Sequence, residues 1–207
     1  YKQDTGAGTL HPPVAAALAR LACGVDEPPR LLLDPFCGDG TVAIEAATSY
    51  PDAWVAGAEL DPARLANARA NADRARARVR LVRADAGRPP WHAGAVDAVV
   101  TNPPWHLAVA AAGQLAGGLA PFWRELPRLL SRRGRVCLIA DADLEPARTL
   151  VALGFDLGLQ TRIRLAGRVS ELVLAAPPGR SAPALPASAA TWRSRAIAAG
   201  VVTQTGF

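Results

Sequence analysis

Four short blocks carry residue types able to do chemistry, and each lies where an apolar run stops. The first is LLLDPFCGDGT, Leu31 to Thr41. Gly38 and Gly40 lack a Cβ, which lets backbone approach a ligand closely. A helix opening at Thr41 would add free N–H groups and a partial positive charge, suited to a carboxylate or phosphate. The spacing fits neither GxGxxG nor the GK[ST] of a P-loop. Asp34 is an acceptor where a bound cation or amine would sit. Without a ligand, the block reads as a tight strand-to-helix turn with Asp39 as the helix N-cap.

The second block, VAGAELDP, places Glu59 at a strand end roughly 20 residues on, where nucleotide-binding sheets use an acid to hold ribose hydroxyls. Leu60 follows it, and Asp61-Pro62 reads as a helix start. In the third, RADAGRPP, the Asp85 carboxylate can accept from an adenine amino group while the Ala86 N–H donates to a ring nitrogen. The fourth is VDAVVTNPPWH. Pro103 and Pro104 hold the backbone extended and remove two donors. That leaves the Asn102 side-chain oxygen and the Pro103 carbonyl as acceptors converging on one point, which suits an NH₂ group. Trp105 offers a flat face for stacking a planar substrate. The bland reading of this block is a rigid turn with a tryptophan packed in the core.

These blocks need a scaffold, and the chain reads as alternating strands and helices, the signature of a parallel sheet covered on both faces. Helices are expected over Pro12–Cys23, Thr41–Thr48, Asp61 to about Ala72 and Leu144–Leu153. Strands are expected over Arg30–Leu33, Trp54–Glu59, Val79–Ala84, Val96–Thr101 and Arg135–Ala140. Leu107–Leu130 reads as mostly helical, interrupted near Gly117-Gly118 and Pro121. Phe155–Leu165 and Val169–Ala175 read as an antiparallel hairpin. From Pro177 the chain turns Pro/Ala/Ser-rich and aperiodic, so residues 1–176 are expected to form the domain and 177–207 a linker or flexible tail.

Composition narrows the class. Half of the 207 residues are apolar, enough for a full core. No apolar run is long enough to span a bilayer and there is no signal-peptide pattern, so a soluble cytoplasmic domain is expected, with no membrane partner. The chain starts at Tyr1 and contains no methionine, which reads as a fragment lacking residues upstream of Tyr1. Cys23, Cys37 and Cys137, and His11, His92 and His106, have no ligand spacing, so no metal site is expected. The net charge is +5, carried almost wholly by arginine. The densest run, Arg64, Arg69, Arg74, Arg76, Arg78, Arg80, Arg83 and Arg88, can contact phosphates or simply be a solvated face.

Together the four blocks resemble class I S-adenosylmethionine-dependent methyltransferases from Leu10 to Ala175. The Asn102–Trp105 block resembles the subgroup that acts on exocyclic or side-chain amide nitrogens. More narrowly, LHPPVAAALARLA with DPFCGDGT and NPPW is similar to the catalytic domain of RNA guanine-N2 methyltransferases often attached to a THUMP domain. The resemblance implies a Rossmann-like, mostly parallel seven-stranded sheet in the order 3-2-1-4-5-7-6. It implies S-adenosylmethionine as cofactor, with Asp34 and the loop of Phe36, Cys37, Gly38 and Gly40 at its methionine part. Glu59 and Leu60 would lie at the ribose, Asp85 and Ala86 at the adenine, and Asn102, Pro103, Pro104 and Trp105 would clamp the substrate, Asn102 also bordering the cofactor. The implied substrate is guanine-N2 in tRNA or rRNA, and the resemblance further implies an N-terminal RNA-binding domain missing from this fragment. Adenine-N6, a protein glutamine amide, and a non-catalytic cofactor- or RNA-binding module stand as alternatives. Two positions depart from the family pattern: Asp39 stands where serine is usual, and Trp105 where tyrosine or phenylalanine is.

Overall fold

The computed structural model describes residues 1–3, 6, 8–23, 29–104, 113–165 and 167–181. Helix α1 (Pro12–Cys23) leads into strand β1 (Leu31–Asp34), helix α2 (Thr41–Ser49), β2 (Trp54–Glu59), α3 (Pro62–Ala75), β3 (Val79–Arg83) and β4 (Val96–Thr101). A 3₁₀ turn at Gly113–Leu115 precedes α4 (Ala120–Leu129), β5 (Leu130–Asp141), α5 (Pro146–Ala152), β6 (Asp156–Leu165) and β7 (Arg168–Ala176). The strands form one sheet in the order β3-β2-β1-β4-β5-β7-β6. Strands β3, β2, β1, β4 and β5 are mutually parallel, while β7 runs antiparallel to both its neighbours. The expected order is therefore the observed one.

The apolar runs of the central strands are buried on both faces, as a covered parallel sheet requires. Side chains alternate between two cores. Leu32, Ala98, Val100, Cys137 and Ile139 point to the face packed by α1 and α2. Leu33, Val99, Leu138 and Val173 point to the other, where α4 inserts Phe122, Leu126 and Leu129 and α5 inserts Leu150. Helix α3 begins as expected, with the Asp61 carboxylate accepting from the Ala63 N–H at 2.8 Å and proline in the first turn.

Three expectations shift. Strand β5 starts at Leu130 rather than Arg135, because Leu130 pairs with Val96 through a register break that accommodates the intervening Ser-Arg-Arg-Gly. The helix expected over Leu107–Leu130 is represented, among the described residues, only by the 3₁₀ turn and by α4, which begins at Ala120; residues 107–112 lie outside them. Asp39 does not cap α2. The N-cap position is Gly40, in a left-handed conformation with no side-chain cap bond, and the Asp39 carboxylate faces another way. No helix among the described residues is long and apolar enough to cross a membrane.

Candidate functional site

Strands β3, β2, β1 and β4 are adjacent and parallel, so the residues ending them line up along one edge of the sheet. That brings together Asp85, Glu59, Asp34 and Asn102, at the carboxyl edge where open α/β sheets bind ligands. The four blocks, distant in sequence, thus border one region.

Asp34 is fully buried. Its Oδ1 accepts from the Thr101 hydroxyl at 2.7 Å and from the Phe36 N–H at 3.1 Å. Burial pushes its pKa up to about 7; those two bonds oppose the shift and the nearby Glu59 charge adds to it. No Arg or Lys pairs with it among the described residues, so a positively charged ligand group beside Asp34 would stabilise the ionised form.

The Phe36–Gly40 loop is tied to β2. The Cys37 N–H donates to the Ala58 carbonyl at 2.8 Å, and the Gly38 N–H donates to Glu59 Oε2 at 3.0 Å. Glu59 Oε1 accepts from the Asp61 N–H at 2.9 Å. Glu59 therefore braces the loop and the start of α3 at once. Phe36 packs edge-on against Phe122, with ring centroids 4.9 Å apart. Cys37 is buried, and burial with the Asp34 and Glu59 charges pushes its thiol well above the usual range, so it is an inert packing residue.

The glycines of this loop also serve the packing of the fold. A Cβ on Gly38 would lie 2.7 Å from the Arg64 guanidinium, and one on Gly40 would lie 3.1 Å from Ala68 Cβ. Both have positive φ, +52° and +88°. They let α3 seat against the loop. The loop also offers a ligand the start of α2, without a side-chain cap, and the Thr41 hydroxyl, buried with no hydrogen-bond partner among the described residues.

At the third block, Asp85 Oδ1 accepts from the Gly87 N–H at 2.8 Å, and Oδ2 accepts from the Gln114 N–H at 2.7 Å. Ala86 is buried beside it, and Gly113 lies against both Asp85 and Leu60. At the fourth, the Asn102 side-chain NH₂ donates to the Gly8 carbonyl at 3.0 Å, while its Oδ1 is buried without a partner among the described residues. Pro103 is buried and Pro104 partly so. Trp105 and His106 lie outside the described residues.

Sequence reasoning missed Thr101, which holds Asp34, and the segment containing Gly6, Gly8 and Thr9, which reaches over the loop. It also misread Asp39. That carboxylate is buried and accepts from the Gly6 N–H at 2.6 Å, the Thr9 hydroxyl at 2.7 Å, Arg64 at 3.3 Å and Asn67 at 3.2 Å. Burial alone would raise its pKa; the Gly6, Thr9 and Arg64 contacts outweigh it and hold the carboxyl below its ordinary value.

Residues 1–153 match the model of the family UPF0020, RMKL-like, methyltransferase domain. The chain belongs to this family. Among solved structures it is similar to TrmN from Thermus thermophilus, with a TM-score of 0.67 and 34% identity over 81% of this chain and 49% of that one. A precorrin-6y C5,15-methyltransferase from Geobacter metallireducens shares the fold, with a TM-score of 0.62 and 19% identity over 84% of this chain and 94% of that one. Among curated proteins it is 46% identical over 63 residues to a tRNA (guanine(6)-N2)-methyltransferase of Thermus thermophilus, covering 30% of this chain and 18% of that protein. It is 35% identical over 71 residues to mouse U6 snRNA (guanine-N(2))-methyltransferase THUMPD2, covering 34% of this chain and 12% of that protein. The chain thus spans less than a fifth of the length of these two relatives and about half of TrmN. It is a methyltransferase domain of the class I fold.

Proposed function

We propose that this domain transfers a methyl group from S-adenosylmethionine to an exocyclic amine of an RNA base, guanine-N2 in tRNA or rRNA. The observation that carries the acceptor chemistry is Asn102. One N–H of its amide donates to the Gly8 carbonyl, which sets the amide's orientation and leaves Oδ1 a buried acceptor with no partner among the described residues. A buried, unsatisfied acceptor is costly unless a ligand donor satisfies it. Choice of base and polymer is supported by the two curated relatives, both named as guanine-N2 enzymes on RNA.

The donor set fits the cofactor. The uncapped start of α2 and the Thr41 hydroxyl suit its carboxylate. Asp34, buried with no Arg or Lys partner among the described residues, suits a positive centre. Asp85 and Ala86 would take the adenine once the Gln114 N–H gives up its bond. Glu59 would reach the ribose with lone pairs left over from the Gly38 and Asp61 bonds. When bound, the cofactor supplies an electrophilic sulfonium methyl.

A base amine is a weak nucleophile because its lone pair is delocalised into the ring. Asn102 Oδ1 and the Pro103 carbonyl would accept hydrogen bonds from its two N–H groups, favour positive charge on the nitrogen and aim its lone pair, and one of those protons would leave to solvent after methyl transfer. Such catalysis rests on positioning and electrostatics rather than on a general base. A base drawn from a helix must be flipped out, and Trp105 would provide the stacking face.

The test is transfer of labelled methyl from S-adenosylmethionine to tRNA, rRNA, DNA and protein pools, with products identified by mass spectrometry after digestion. N2-methylguanosine is expected. N6-methyladenosine or methylglutamine would replace the acceptor in this reading, and tight cofactor binding with no transfer to any pool would overturn it.

A further inference from the structure

We propose that Asp39 is a positioning residue for Asn102, acting through the N-terminal segment of Gly6, Gly8 and Thr9. This rests on the reading of Asn102 as the amine acceptor. The geometry behind it is a relay of hydrogen bonds across three distant parts of the chain.

The relay starts from a buried carboxylate. Asp39 is 1% exposed. Its Oδ2 gathers the Gly6 N–H at 2.6 Å, the Thr9 hydroxyl at 2.7 Å and Arg64 at 3.3 Å, and its Oδ1 takes the Asn67 NH₂ at 3.2 Å. The Asn71 NH₂ donates to the Asp39 carbonyl at 3.0 Å. Donors from α3 thus hold the carboxylate on one side, and on the other it holds the N-terminal segment. A buried carboxylate is tolerable only when so fully satisfied.

The described residues of this segment form no helix or strand that would fix it. Gly6 and Thr9 flank Gly8 and both end on Asp39, so the same anchor fixes the Gly8 carbonyl. That carbonyl accepts from Asn102 Nδ2 at 3.0 Å. Turning the Asn102 amide over would set its oxygen against the Gly8 oxygen, two acceptors facing each other, and would aim NH₂ donors at an incoming amine. The Gly8 carbonyl therefore selects which end of the amide meets the substrate, and Asp39 keeps that carbonyl in place. Asp39 itself need touch neither cofactor nor substrate.

The experiment compares wild type with Thr9→Val, Thr9→Ser and Asp39→Asn. Thr9→Val removes one donor to Asp39 while leaving the loop and Asn102 intact. Thr9→Ser keeps the hydroxyl and is the conservative control. Two readouts are taken: solvent exchange of the Asn102 side-chain amide protons by ¹⁵N NMR, and kcat, KM and cofactor Kd for methyl transfer to RNA. Thr9→Val and Asp39→Asn are expected to speed that exchange at least tenfold and to lower kcat at least tenfold, with cofactor Kd changing less than threefold. Thr9→Ser should return both readouts to near the wild-type values. Unchanged exchange in folded variants would overturn the relay, whatever the activity. Faster exchange with unchanged kcat would overturn the positioning role. If wild type methylates no acceptor, the proposed function falls, while the exchange data still decide whether Asp39 controls Asn102. If Asp39→Asn fails to fold, Thr9→Val carries the test.

Discussion

Two residues at the candidate site make opposite demands on the fold. Asn102 costs little in charge but leaves a buried oxygen unsatisfied among the described residues. Replacing it with alanine removes the acceptor and the bond to Gly8 together. Turnover is expected to fall about 100-fold, the scale seen when one preorganised polar group is lost from an active site, while cofactor affinity changes little. Steady-state kinetics beside calorimetric cofactor titration would check this, and comparable losses in both would contradict the acceptor role. Asp34 stores its cost as a displaced ionisation, with burial raising its pKa to about 7. In the unfolded chain it ionises near its ordinary value. Between those two values the folded state holds a proton that the unfolded state has released, so Asp34 makes folding less favourable as pH rises. Asp34→Asn keeps an oxygen for Thr101 and Phe36 and cannot ionise. The stability of wild type relative to this variant should therefore fall from about pH 4 to about pH 7, by at most about 1.4 kcal/mol per unit, and level off above. Denaturant unfolding at several pH values reads this, and a flat difference would mean that burial does not displace the ionisation of Asp34.

The elements decide whether such residues meet, and here the close approach of α3 to the Phe36–Gly40 loop is decisive. Gly40 has φ +88°, and a Cβ there would sit 3.1 Å from Ala68 Cβ and 3.2 Å from Ala68 Cα. Gly40→Ala adds left-handed strain and a backbone clash, so it should destabilise the domain by about 1–3 kcal/mol. The denaturant midpoint should shift with an unchanged m-value; an unshifted midpoint would mean α3 does not seat on the loop. The contrast between Gly40 and Asp39 explains what a sequence exposes. Strands β1, β2 and β4 are legible because each is an apolar run buried on both faces, and Glu59 and Asn102 because each ends such a run. The start of β5 is not, since Ser131-Arg132-Arg133-Gly134 has no apolar alternation and its place follows from backbone pairing of Leu130 with Val96. The Asp39 network is illegible for another reason. Its partners Gly6 and Thr9 lie 33 and 30 residues upstream, and Arg64 and Asn67 lie 25 and 28 downstream. Local pattern sees only an aspartate before a helix and reads a cap.

At the scale of the whole molecule, charge is sorted by what the fold has already used. The dense arginine run spans α3 and β3, and β3 is an edge strand of the sheet. Four of its members have work within the fold: Arg64 pairs with Asp39, Arg74 bonds Asn71, Arg83 donates to the Leu60 carbonyl, and Arg80 lies 5.0 Å over the Trp54 ring. Arg69, Arg76, Arg78 and Arg88 are exposed and make no ion pair with a carboxylate among the described residues. If RNA is the substrate, these four are the ones free to meet phosphates beside an edge of the site that ends in Asp85. Each phosphate neutralised adds roughly 0.7 to 0.9 to the slope of log affinity against log salt. Changing all four to glutamine should weaken RNA binding at low salt and flatten that slope by about that amount for each arginine that meets a phosphate. Arg64→Gln should instead lower thermal stability through the loss of its Asp39 bond. The two variants separate binding charge from structural charge, by binding titrations at several salt concentrations beside thermal melts. A fourfold variant that keeps the wild-type slope would assign this face to solvent and leave RNA capture to another part of the protein.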